Sequence, residues 1–192
     1  MTRDFRLPRA YKTLLAIAVA VGPIAWLLFS ADGQRRTDLA LMFLLGRPAF
    51  DAALDRFSPR LDEPRLRARF PGLSLDCAPD PSPFGDRRCT AVLGSFNQYP
   101  AQAVTFYFRG DALAALDVRY QPAYHAAIRA WVERRPGRMR SGDRPLEPRV
   151  AQGVASWPVA EGLLVMRDGP LGAGDAPALW WLAAGPSRPS AP

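Results

Sequence analysis

VTFYFRGDALAALDVRY, residues 104–120, decides the fold. Val104, Phe106 and Phe108 alternate with Thr105 and Tyr107, the period of a strand that buries one face. Gly110-Asp111 is a turn pair, and residues 113–120 run back as a second apolar-rich strand. A tight connection of this kind makes the two strands antiparallel neighbours. The adhesion-type tripeptide Arg109-Gly110-Asp111 falls on this turn and is read as the turn itself.

Working outward, the same period recurs. Leu73 and Leu75 lead into Cys77, and residues 89–96 read as the partner strand, with APDPSPFGDRR between the cysteines as a long hairpin loop. Residues 154–159, 163–167 and 178–183 add three strands, separated by Glu161-Gly162 and GPLGAGD. Helical spacing appears elsewhere. Phe50, Leu54, Phe57 and Leu61 make one face over residues 49–61, Pro64 starts a short helix through Phe70, and Tyr124, Ile128, Trp131 and Val132 form a stripe after Pro122. Helices, then strands, a helix and more strands predict an α+β domain. Its sheet is antiparallel, about six to seven strands, with helices on one face.

Upstream lies a different kind of segment. Residues 14–29 contain no charged or strongly polar side chain, and Arg3, Arg6, Arg9 and Lys12 precede them. A helix needs roughly twenty such residues to cross a hydrocarbon core about 30 Å thick. Tyr11, Trp26 and Phe29 suit the interfacial belts, and Gly22-Pro23 is tolerated in a membrane helix. The reading is a signal anchor with its N-terminus inside. The alternative is cleavage after Gly33, since Ala31 and Gly33 are small, which would release a secreted ligand-binding or inhibitor domain. The predicted organisation is a cytoplasmic basic arm (1–10), a transmembrane helix (11–30), a linker or juxtamembrane helix (31–48), a periplasmic α+β domain (49–185) and a disordered tail (186–192). Residues 31–38 read as a polar break, and 39–45 as a short helix on the domain or the membrane surface.

Composition narrows the chemistry. Of the 25 basic residues only Lys12 is a lysine, so the domain has no amine for Schiff-base or Ser–Lys catalysis. The Arg, Ala and Pro bias points to GC-rich coding, most simply a bacterium. The net charge of +7 splits into +3 over residues 1–12 and +4 over the remainder, and no nucleic-acid partner is expected. One histidine and two cysteines cannot complete a four-ligand zinc site, Asp76, Asp80 and Asp86 are too dispersed for a calcium loop, and neither metal nor cofactor is predicted. In an oxidising compartment Cys77 and Cys89 form a disulfide. Ser74, Ser82, Ser95 and Ser156 lie in no nucleophile elbow, and Gly172-Ala173-Gly174 lacks the helix and lysine of a phosphate loop. His125 shares the polar side of its helix with Arg129 and Glu133 and reads as a solvated histidine. No catalytic residue is predicted.

Two features remain as candidate contacts. Arg134, Arg135, Arg138, Arg140, Arg144 and Arg149 crowd one loop and could meet an anionic lipid or acidic partner. Trp157, Trp180 and Trp181 could supply aromatic contacts, although alternation sends one of the adjacent pair into the core. The expected function is a non-catalytic accessory or binding module of an envelope assembly, held in the bacterial inner membrane by a single span with its bulk in the periplasm. The rival is a hydrolase of cell-wall glycan using paired carboxylates.

Overall fold

The computed structural model describes residues 8–134, 149–172 and 174–184. The start of the arm, most of the basic loop and the C-terminal tail, expected to be disordered, lie outside the described residues.

Two helices come first. Helix α1 spans Arg9–Phe29 and α2 spans Ala31–Leu44. Within α1, Ala10–Phe29 (20 residues) is long and apolar enough to cross a membrane, and none of it is buried in the protein. Ser30 breaks the run in an extended conformation and caps α2, its hydroxyl accepting from the Gly33 N–H at 2.9 Å. A Cβ at Gly33 would run into the Trp26 carbonyl, so only glycine lets the helices meet this closely. The polar residues 31–38 are therefore helical rather than a break. They carry i,i+3 and i,i+4 ion pairs from Asp32 to Arg35 and Arg36, which favour a helix even without apolar periodicity.

The remainder is α+β. Strand β1 is Ala49–Phe50, and a 3₁₀ turn at Leu54–Arg56 precedes helix α3, Glu63–Arg69. Then come β2 (Asp76–Ser82), β3 (Gly85–Val92), β4 (Ser95–Phe96), β5 (Tyr99–Arg109) and β6 (Ala112–Tyr120). Helix α4 is His125–Glu133, and β7 (Arg149–Ala151), β8 (Val154–Val159), β9 (Gly162–Arg167) and β10 (Ala178–Ala183) complete the chain. The strand order is β1-β4-β5-β6-β10-β9-β8-β7, with the β2–β3 pair joined to β5. The sheet has ten strands, more than the six to seven expected, because the short β1, β4 and β7 carry too few residues to show a period. It is mixed: β1 pairs with β4 in parallel, and the other pairs are antiparallel.

Two local expectations are corrected. Residues 49–61 form no α-helix. Phe50 is drawn into a strand beside Phe96, and Leu54 and Phe57 are buried from a 3₁₀ turn and its exit. The helical spacing of these apolar residues reflects burial, which an irregular segment also achieves. Between the cysteines there is no long loop. The strands run on through the prolines to a tight turn at Pro83-Phe84, where Pro79 tolerates a place on an edge strand paired on one side only.

One sheet face makes the core. Cys89, Phe106, Leu116, Trp181, Leu164 and Trp157 are successive partners across the sheet, and all are fully buried. Against them pack Phe50, Leu54, Phe57, Leu66, Ile128 and Val132 from the turn and helices. Phe57 meets Trp181 with ring centroids 6.2 Å apart, and Phe50 meets Phe106 at 5.9 Å. Helix α2 is tied to this body by polar contacts: Tyr124 donates to Asp38 at 2.6 Å, and Arg35 lies over the Tyr99 ring.

Candidate functional site

Among the described residues no helix lines the groove on the other face of the sheet. Alternation puts the neighbours of the core residues there, and strand register aligns them in one row: Thr90, Thr105, Asp117, Trp180 and Val165. This row floors a groove of about 560 Å³, within the size range of small-molecule sites. On one side the tip of the β2–β3 hairpin folds over, so that Phe84 stacks on Trp180 at 4.8 Å and lies 5.4 Å from Tyr107. On the other, the connection from β9 to β10 contributes Leu171, Asp175 and Pro177. Asp175 holds that connection in shape, accepting from Arg167 at 2.6 Å and from the Gly172 N–H at 2.7 Å.

Asp117 is the chemical centre. It is 3% exposed, although it lies on the face opposite the core. Tyr107 donates to its Oδ1 at 3.1 Å, and the Arg119 Nε stands 3.8 Å from its Oδ2. Burial raises the Asp117 pKa above the ordinary carboxylate value, with the bonds from Tyr107 and Thr105 and the charge of Arg119 offsetting only part of it. Tyr107 in turn is pushed up to about 12, first by burial and then by the Asp117 charge. Thr90 donates to Thr105 at 3.4 Å, extending the polar line across three strands. Such a floor can bind hydroxyl and amide groups.

The residues singled out from sequence are dispersed. Trp180 lines the groove, whereas Trp157 and Trp181 are fully buried on the core face and offer no contact surface. Arg134 is exposed and donates to the Ala130 carbonyl at the end of α4. Arg149 opens β7, also exposed. Arg135, Arg138, Arg140 and Arg144 lie outside the described residues. Cys77 and Cys89 face each other across β2 and β3 at disulfide distance. Glu63 lies beside them, a donor set that could hold a metal only if the sulfurs were not bonded to each other.

His125 is corrected. It is 8% exposed, not solvated, and its Nδ1 is 2.9 Å from the Tyr120 hydroxyl. Burial first, then the Arg129 charge, lowers its pKa, so it stays neutral. It lines a second cavity of about 520 Å³ with Arg129 and the Gly169–Gly172 stretch. Arg129 is paired with Glu133 and Asp168.

Sequence reading missed Thr105, Tyr107, Asp117, Arg88, Arg119 and Arg167. The available signal was Asp117 itself, an acid between Leu116 and Val118 in a strand that is otherwise buried. Comparison with protein-family models, with curated proteins and with solved structures finds no match.

Proposed function

We propose that this chain is a membrane-anchored, non-catalytic binding module of a bacterial envelope assembly, with the domain on the periplasmic side and the groove as its binding face. The observation that carries the reading is the groove. It is a concave surface of polar and aromatic side chains on the sheet face opposite the core, in a chain whose first helix is apolar and unburied. The disulfide supports an oxidising compartment. Four cations before the span favour a cytoplasmic N-terminus, and a tethered module meets its partners at raised effective concentration.

The test is photo-cross-linking in intact membranes from position Val154, which lines the groove, with Arg65 on the exposed side of α3 as the control. A specific envelope partner captured from Val154 and not from Arg65 is the expected result. Capture from neither site, or equally from both, overturns the groove as the binding face. A hydrolytic reading has one observation in its favour: Asp117, whose pKa burial raises, and Asp175 line the same groove. It weakens because Asp175 is already engaged by Arg167 and Gly172. Turnover of cell-wall glycan by the purified chain, abolished by Asp117→Asn, would replace the binding reading.

A further inference from the structure

We infer that the groove takes a sugar acid, a hydroxyl-bearing ring carrying a carboxylate, with the carboxylate on Arg119 and the ring over the Thr105–Asp117 pair, against the edge of Trp180. This rests on the reading of the groove as the binding face.

Five charged side chains line the groove: Arg88, Arg119, Arg167, Asp117 and Asp175. Arg167 and Asp175 satisfy each other at 2.6 Å. Asp117 is buried and already accepts from Tyr107. Arg88 and Arg119 remain, and neither donates a hydrogen bond to a carboxylate among the described residues. The contact of Arg119 with Asp117, at 3.8 Å, is too long to be one. Three arginines against two aspartates leave the groove one net positive charge, which favours an anion. A guanidinium offers the planar fork that binds a carboxylate through two parallel bonds.

Register sets the footprint. Arg88 is opposite Tyr107 and Arg119 is opposite Ala103, four residues apart along β5 and on strands either side of it. With about 3.4 Å per residue and about 4.8 Å between strands, their Cα atoms stand about 17 Å apart on a diagonal. Between them lie the hydroxyls of Thr90 and Thr105 and the Asp117 carboxyl, with Trp180 on the next strand beyond Asp117. A bare inorganic anion would leave that floor unused. A wholly apolar ligand would strip water from it without replacing the hydrogen bonds. A ring with several hydroxyls and one carboxylate meets both the floor and the cation.

Calorimetric titration of the full chain in detergent micelles tests this, with a glucuronyl-glucose disaccharide, its neutral glucosyl-glucose counterpart and inorganic phosphate as probes. The acidic disaccharide is expected to bind saturably and at least tenfold more tightly than the neutral one. Arg119→Ala weakens it at least tenfold and the neutral sugar far less, Arg119→Lys restores only part, and Trp180→Ala weakens both sugars. Equal binding of acidic and neutral sugar overturns the inference. So does phosphate binding as tightly as the acidic sugar, or a short peptide with a free C-terminal carboxylate outcompeting it. Absence of binding by either sugar to a chain with unaltered melting also overturns it. In that last case, persisting capture from Val154 leaves the binding-face reading intact, whereas loss of capture as well removes both.

Discussion

Opening the Cys77–Cys89 bond should cost this protein about 3 kcal/mol, a figure that follows from where the bond sits in the chain. The cysteines are 12 residues apart. In the chain-entropy model a cross-link removes about 2.1 + 1.5R ln n cal/mol/K from the unfolded ensemble, which for such a loop is about 2.8 kcal/mol at 25 °C. For a chain of this size, that lowers the melting midpoint by about 6–12 °C. The folded structure gives the loss a place to appear. β2 is hydrogen-bonded to the sheet only through β3, so the bond staples an edge strand whose hairpin tip carries Phe84 onto Trp180. Full-length protein in detergent micelles would be unfolded in urea in three forms: oxidised, reduced, and Cys77→Ala/Cys89→Ala. The alanine form should lose about 1 kcal/mol more than the reduced one, because Cys89 is fully buried and its sulfur is not replaced. A reduced protein whose stability lies within about 0.5 kcal/mol of the oxidised one would refute the entropy argument. Alkylatable thiols in the native protein would refute the bond itself.

Trp181→Ala should cost about 3–5 kcal/mol in the same urea assay, because the ring is wholly buried against Phe57, while Trp180→Ala should cost under about 2 kcal/mol. Equal losses would contradict the assignment of the two rings to opposite faces. Gly85→Ala should destabilise by about 1–3 kcal/mol, since its Cβ would run into the Phe108 carbonyl; Gly174→Ala, with open space around it, should be near neutral in parallel melts. Asp117 carries a pH signature. Its folded pKa is raised above 3.8 by burial, so the folded state holds the proton more tightly than the unfolded one. The wild type therefore loses stability as pH rises through 3.8 towards the folded value and levels off above it. Asp117→Asn should remove that slope and be relatively more stable on the high-pH side. Parallel pH profiles for the two proteins would show that the carboxyl is not desolvated.

How much of this was legible depends on how local each feature is. Local apolar period placed β5, β6, β8, β9 and β10 close to where they are, and short separation together with the expectation of an export segment paired the cysteines. It failed for residues 49–61, where burial without regular structure imitates a helix. It failed for His125, whose burial depends on Tyr120 and on the chain after β9 rather than on its own helix. The site was hidden by one residue. Counting out from the Gly110-Asp111 turn, Arg109 pairs with Ala112 and Phe108 with Leu113, so Thr105 should oppose Leu116. A bulge between Tyr107 and Phe108 shifts the register, and Thr105 meets Asp117 instead.

What residues 104–120 determined by themselves was a hairpin, and the surrounding periodicities determined an α+β chain with an apolar helix ahead of it. These follow from interactions within a few residues of each other, which composition and spacing record. Only the tertiary structure decided that a one-residue bulge turns Leu113, Leu116 and Val118 to the core and aligns Thr105, Asp117 and Trp180 on the other side. Faces in a sheet have a period of two, so a single inserted residue exchanges them, and the strands that judge the exchange, β3 and β10, lie far away in sequence. The groove exists because those distant strands accept that register.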